Sequence, residues 1–525
     1  MFHFRKIALP LFIATVLLSS CSQSDSLIAE DTNKETARVQ DGCDVIFRMQ
    51  SNYSPTTRSS IEEGDDTDLG TPNEYKVNNA IVYLFDSSTK KLVNKYELKK
   101  FNNPTFQDNN TIYDTEILSV PQGTYDIFVI ANSERVISTT DETTFLADID
   151  DATYAQGQIE DISKGIVMSN MTRDANDVLD PNDDQTRVAP NLNKAIKKPS
   201  DGVVQVININ LERVLARLDV AKEFDSYDLK YLDTATQQNK KYATVKLDGF
   251  HIVNMPTKYY TFRHHSSSAN EPTWTLDNFK MISDSMKVDY VIDPYFYKKT
   301  VNDAANFNNG DGYYKNFFLN LRQPSNITWL EFKPVNDQDP YKHFYCLENC
   351  MVQPAQMNGY STGVIFQASI EPEDGTVYTL NKTSGKLEVI TDKAQYPQVV
   401  YYYNCKFYDS VEARNEAIAT SQTPQTNEFT GQKFEKNDTG TGYRCYYNYW
   451  IKHLDNNNNN EMGVMEFAVV RNNLYSMRVH DITGVGNGEP EPTTNPDTPD
   501  EGNTSLKVQI TVKRWIIRNL TNITL

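Results

Sequence analysis

The feature that most limits what this chain can become is a period of two. Cys43, Val45, Phe47 and Met49 alternate with Asp44, Ile46, Arg48 and Gln50 near one end. Leu506, Val508, Ile510 and Val512 alternate with Lys507, Gln509, Thr511 and Lys513 near the other. Successive side chains of a strand leave opposite faces, so each run reads as a strand with one buried face. Between them strand-like runs recur at 80–85 (AIVYLF), 124–131 (TYDIFVIA), 164–168, 203–211 (VVQVININL), 243–252, 362–371, 397–408, 443–453 and 463–480, parted by Gly, Pro, Asn and Asp clusters. The last two are expected to form a hairpin across LDNNNNNE (454–461). A short helix is predicted at 410–420 (SVEARNEAIAT), and 211–220 (LERVLARLDV) reads as a helical turn or a strand at a domain junction. Many short strands with turn signals and no fixed-period repeat predict an all-β chain with a few short helices, folded as β-sandwich domains.

Charge and motifs exclude several functions. With 51 Lys and Arg against 70 Asp and Glu, the net charge is −19. That argues against DNA or RNA as the main partner, because phosphate binding needs a basic face. There is no G-x-S-x-G, no HExxH and no Walker A, and GVGNGE (484–489) lacks the order of a dinucleotide fingerprint. DANDVLDPNDD (174–184) is rich in carboxylates but has Gln185 where an EF-hand places its bidentate Glu, so it reads as a solvated loop, with weak Ca²⁺ binding as the alternative. The seven histidines are scattered, and the adjacent pair His264-His265 is expected in a turn or at the surface. Six cysteines stand at 21, 43, 346, 350, 405 and 445. Zinc would need tighter ligand pairs plus histidines, so structural or free thiols are expected; Cys346 and Cys350 could bond only on a tight turn, and Cys405 and Cys445 could face each other. The expectation is a protein that is not an enzyme and holds no cofactor or metal.

The first twenty residues carry an address. Arg5 and Lys6 precede an apolar run of 12 residues at 7–18, IALPLFIATVLL, too short to span a bilayer and the size of a signal-peptide core. It ends in Leu18-Ser19-Ser20-Cys21, which resembles a bacterial lipobox with Cys21 as the acyl acceptor; the alternative is an ordinary secretory signal with a chance cysteine. Residues 22–40 read as a flexible tether. The segment 51–75 (SNYSPTTRSSIEEGDDTDLGTPNEY), which contains Arg58, lacks alternation and reads as an exposed loop.

The far end is unusual in another way. GVGNGEPEPTTNPDTPDEGN (484–503) reads as an extended, mobile linker, yet an amphipathic strand follows it. After Val512 the phase slips, with Trp515 and Ile517 apolar at odd positions, which suggests a bulge or break between two strand pieces. Taken alone, such a strand could simply close its own domain.

These residues, together with PQGTYDIFVIANSE (121–134), KGIVMSN (164–170), RVLARLDV (213–220), YCLENC (345–350), GVMEFAVVRNNLYSMRV (463–479) and SLKVQITVKRWIIRN (505–519), resemble the fimbrillins, the type V pilins of Bacteroidales-type bacteria. Length and the acidic Pro linker are most like the major subunit of the short fimbriae. The resemblance implies two tandem transthyretin-like β-sandwich domains and export as an outer-membrane lipoprotein precursor, with palmitate-type lipid on Cys21. It also implies cleavage by an arginine-specific or trypsin-like maturation protease in the loop after the first strand. By motif position the cut falls between Arg58 and Ser59; Arg38 and Arg48 are the competitors, one in the tether and one inside the strand. The expected organisation is a signal peptide 1–20, a propeptide 21–58, an N-terminal domain 59–210, a C-terminal domain 211–483, a linker 484–504 and a donor strand 505–525.

On this reading, cleavage removes the strand bearing Val45, Phe47 and Met49, and Leu506, Val508, Ile510, Val512, Trp515 and Ile517 of a neighbouring copy refill its place. The contact runs head to tail, so repetition gives an open filament of identical subunits in surface fimbriae for adhesion, completed by anchor and tip subunits. The mature form would be extracellular. The alternatives are an accessory anchor or tip subunit of the same filament, and a monomeric glycan-binding surface lipoprotein, which would keep both its lipid and its first strand.

Overall fold

The computed structural model describes residues 42–50, 70–102, 105–107, 110–149, 152–153, 161–170, 192–198, 202–265, 291–295, 318–319, 327–350, 356, 359–421, 432–440, 442–453, 465–490 and 506–514. Among them strands dominate, with three short α-helices, Pro72–Tyr75, Glu142–Ile149 and Val411–Thr420. The fold is all-β, its sheets stacked in a sandwich-like arrangement around two main apolar cores.

The N-terminal sandwich is one ten-stranded sheet curled around its own core. Val45, Phe47, Met49, Val82, Leu84, Ile127, Val129, Ile207 and Ile209 meet in that core, all within 4% of complete burial. Strand Ala80–Asp86 explains its own unbroken apolar run. Its even residues Val82 and Leu84 enter the sandwich, while Ile81, Tyr83 and Phe85 enter a second apolar layer on the other face. A strand covered on both faces cannot alternate. The cover is helix Glu142–Ile149: Phe145 and Ile149, one turn apart, lie buried, and the Phe145 ring stands 4.5 Å from Tyr83 and 5.3 Å from Phe85. Asp141 starts that helix by accepting a hydrogen bond from the Thr144 amide at 3.0 Å.

In the C-terminal sandwich a four-stranded sheet, Lys342–Leu347, Leu215–Lys222, Asn473–Ile482 and Leu506–Arg514 in that order, faces another made of Tyr227–Asp233, Gln238–Val253, Gly363–Pro372 and Tyr443–Trp450. Leu218, Val220, Met477 and Val479 of one pack on Val245, Leu247, Ala368 and Ile370 of the other. A five-stranded sheet around Val399–Tyr403 extends this core and carries helix Val411–Thr420 on its outside. Ser410 caps that helix, its Oγ accepting from the Ala413 amide at 3.2 Å.

Several expectations change. Tyr443–Trp450 pairs with Gly363–Pro372, whereas Asn473–Ile482 pairs with Leu215–Lys222 and Leu506–Arg514, so the expected hairpin across 454–461 is instead a crossing between two sheets. The run 164–168 holds the end of a 3₁₀ turn, Ile162–Lys164, and its strand begins only at Met168. The segment 211–220 is strand throughout apart from a break at Val214. His264 is buried at 7% exposure within a short strand and stacks on Tyr260 at 3.8 Å, so this half of the pair is neither in a turn nor at the surface. The front of the expected mobile linker is docked: Val485 is fully buried, and Tyr446 and Asn487 exchange backbone hydrogen bonds at 2.8 and 2.7 Å. The acidic loop 174–184 lies outside the described residues, and no described helix is long and apolar enough to cross a membrane.

Candidate functional site

The first strand, Cys43–Gln50, sits in the middle of its sheet and not at an edge. On one side it runs parallel to Gln205–Arg213, with Val45 opposite Gln205 and Gln50 opposite Asn210. On the other side it is antiparallel to two shorter strands. Cys43–Val45 lies along Leu118–Val120, and Arg48–Gln50 lies along Asn110–Asp114. Thr115 bridges the gap between those two: its Oγ1 accepts from the Phe47 amide at 3.1 Å, and its own amide donates to the Phe47 carbonyl at 3.2 Å.

The side chains follow the alternation seen in the sequence. Val45, Phe47 and Met49 are fully buried and Cys43 is 1% exposed. Burying these four apolar side chains is worth on the order of 6–12 kcal/mol before ordering costs. Arg48 points outward and grips Asp114 in a bidentate pair, Nε to Oδ1 at 2.7 Å and Nη2 to Oδ2 at 2.8 Å. Those hydrogen bonds push the guanidinium pKa above its ordinary value. An arginine held this way inside a central strand is a poor protease substrate.

The chain from Gly70 onward is fastened separately. Thr71 and Glu74 form a capping box on the turn Pro72–Tyr75, with Glu74 Oε2 accepting from the Thr71 amide. The Glu74 carboxylate also receives Arg217 Nη1 at 3.2 Å and the Tyr345 hydroxyl at 2.7 Å, and its backbone carbonyl receives Arg213 Nε at 2.7 Å. Arg217 in turn holds Asp219 bidentate, both bonds at 2.8 Å. Loss of residues upstream of this turn therefore leaves these contacts in place.

Among the described residues the last strand, Leu506–Arg514, lies at the edge of the C-terminal four-stranded sheet, antiparallel to Asn473–Ile482. Val508 and Ile510 pack against the core there but are only partly buried. Leu506 and Val512 belong to the same strand. A register shift opposite Lys507 falls on the partner strand, between Val479 and Asp481. Cys21, Arg58, Ser59, Trp515 and Ile517 lie outside the described residues.

The described cysteines, Cys43, Cys346, Cys350, Cys405 and Cys445, are all buried. Burial raises the Cys43 pKa, pushes Cys346 up to about 12 and raises Cys445 further, so these groups remain protonated. No cluster of metal-ligating side chains occurs among the described residues. Sequence reading missed Asp114, Thr115 and Glu74. Each looks ordinary in a chain so rich in acids and threonines, and only strand pairing singles them out.

Two family models match the chain. The major fimbrial subunit protein (FimA) model covers residues 55–213, and the C-terminal model of the major fimbrial subunit protein type IV, fimbrillin, covers residues 441–521. No curated protein is similar enough in sequence to count as a relative. Among solved structures, a fimbrilin from Porphyromonas gingivalis is 13% identical, with 91% of this chain and 99% of that one covered and a TM-score of 0.40. The tip fimbrial protein from Porphyromonas gingivalis with a C-terminal truncation is 12% identical, covering 90% and 100% at a TM-score of 0.36. Fimbrial-subunit models thus match separate stretches in both halves of this one chain, which is similar to the fimbrillins there.

Proposed function

We propose that this chain is the polymerising stalk subunit of a surface fimbria, most like the major subunit of short fimbriae, and that it assembles by donor-strand exchange. The precursor is carried to the outer membrane by lipid on Cys21. An arginine-specific or trypsin-like protease cuts after Arg58, and the chain then starts at Ser59 without its first strand. The C-terminal strand of another copy fills the opened place, and anchor and tip subunits end the filament.

The observation that carries this reading is the central position of Cys43–Gln50. A strand paired on both sides, with its apolar side chains at 0–1% exposure, leaves two unpaired ladders and four empty pockets when it goes. Leu506–Arg514 repeats the same alternation on an edge, where one side is paired and Val508 and Ile510 stay partly exposed. Moving from that edge to a central slot adds a second ladder and completes the burial. Retained in place, the first strand blocks assembly before export is complete.

The pairing of Leu506–Arg514 with Asn473–Ile482 in its own domain supports a second reading. An accessory subunit or a monomeric glycan-binding lipoprotein would keep that arrangement. N-terminal sequencing of surface-shed protein, with unboiled and boiled gels side by side, separates the two. A Ser59 start with a heat-sensitive ladder supports the polymer; a lipidated Cys21 start with a monomer band sinks it.

A further inference from the structure

We propose that Asp114 selects the register of the incoming strand by pairing with Lys513 of the second copy in place of Arg48. The inference rests on the strand-exchange reading. Asp114 closes strand Asn110–Asp114 directly opposite Arg48, and the side chains are 22% and 33% exposed. Among the described residues Arg48 is its ion-pair partner. When the first strand leaves, Arg48 leaves with it. A half-buried carboxylate then faces the slot in a chain whose net charge is −19, and a cation must replace the one lost.

Strand register identifies that cation. Let the incoming strand run in the direction of the first strand, parallel to Gln205–Arg213. Seating Leu506, Val508, Ile510 and Val512 in the places of Cys43, Val45, Phe47 and Met49 puts Lys513 at the position of Gln50. That position is paired with Ile112, and Asp114 is its diagonal neighbour. Diagonal neighbours across an antiparallel pair are roughly 7–8 Å apart, within reach of a lysine. A slip of two residues one way drives Arg514 into the fully buried place of Met49, which a charged side chain cannot fill. A slip of two the other way carries Lys513 past the end of the ladder, puts Thr504 in the place of Cys43 and leaves Asp114 unpaired. Lys507 falls opposite Ser119, at the far end of the slot. Apolar alternation alone permits any even slip; Asp114 and Arg514 together exclude both neighbours.

The test uses the full chain cut by an arginine-specific protease. Sequencing must give a Ser59 start and intact mass must show a complete tail. Filament extension is followed by light scattering and unboiled gels for wild type, Asp114→Asn, Lys513→Met and the double variant. Each single change should slow extension about two- to fivefold, the range of a half-exposed ion pair, and the double variant should be no slower than the worse single. The wild-type advantage should vanish at about 1 M salt, where the screening length falls to roughly 3 Å. Lys513→Met leaves the first strand and its slot untouched, so its result stands even if Asp114→Asn weakens the precursor. Wild-type extension matched by both singles, or effects that simply add, overturns the Asp114–Lys513 pairing alone. A cut wild-type chain that forms no ladder overturns the strand-exchange reading instead.

Discussion

Glu74 Oε2 and Arg217 Nη1 meet at 3.2 Å with their side chains 0% and 6% exposed. One comes from the turn just past the expected cleavage loop, the other from strand Leu215–Lys222 of the C-terminal sandwich. Two charges so removed from water are tolerable only as partners, and removing one strands the other. Glu74→Ala should therefore lower folding stability by about 3–5 kcal/mol in urea denaturation, and Glu74→Gln by less, because its amide can still accept a hydrogen bond. A loss under about 1 kcal/mol for the alanine variant would show that this turn is not what holds the downstream chain.

The fully buried Phe47, its ring 6.2 Å from that of Tyr96, gives a second expectation. Phe47→Ala should cost the uncut chain about 3–5 kcal/mol, the usual effect of a large cavity in a close-packed core. If a cut after Arg58 releases the first strand, wild type and variant become the same molecule, so the difference should disappear. The measurement is a pair of denaturation curves before and after proteolysis. A deficit that persists in the cut protein would mean that the first strand had not left.

Much of this was legible beforehand because it is local. Alternation at 43–50 reports a single buried face, and the run at 410–420 reads as a short helix. Strand partners are not local. The asparagine run at 454–461 looks like a hairpin turn, but Tyr443–Trp450 finds its neighbour some eighty residues upstream in Gly363–Pro372. The same limit hid Asp114, whose meaning depends on which strand lies beside it. Gly486 and Gly488 read as linker residues, yet each touches neighbouring backbone so closely that a Cβ would collide with the carbonyl of Tyr446 or Lys433. Their small size serves docking of the linker's front rather than its mobility.

Glu142 supplies a pH dependence. Burial, and then the charge of Asp126, push its carboxyl pKa up to about 7, and Lys90 Nζ, 3.4 Å from Oε2, offsets only part of this. Because the folded state holds this proton longer than the unfolded one, stability from this group is greatest below the ordinary carboxylate value of 4.5. It falls as pH rises towards about 7 and levels off above. Glu142→Gln should raise the melting temperature at pH 7.5 and flatten its decline between pH 4.5 and 7. An unchanged pH profile would place the titration elsewhere.

The two alternating strands should differ sharply in how readily they open. Cys43–Gln50 has ladders on both sides and apolar side chains out of water, so its amides exchange only when the N-terminal sandwich opens. Among the described residues Leu506–Arg514 has a neighbour on one side, with a register shift near its start and partly exposed Val508 and Ile510. Edge pairing of this kind opens locally, at a small fraction of the global free energy. In hydrogen exchange on the uncut chain, amides of 506–514 should exchange at least about a hundredfold faster than those of 45–50, corresponding to roughly 2.7 kcal/mol of easier opening. On the proposed exchange, this inequality would let a tail leave its own domain while a first strand stayed until it was cut. Equal protection of both strands would mean that the tail is a fixed part of its sandwich, and assembly would then need a different donor.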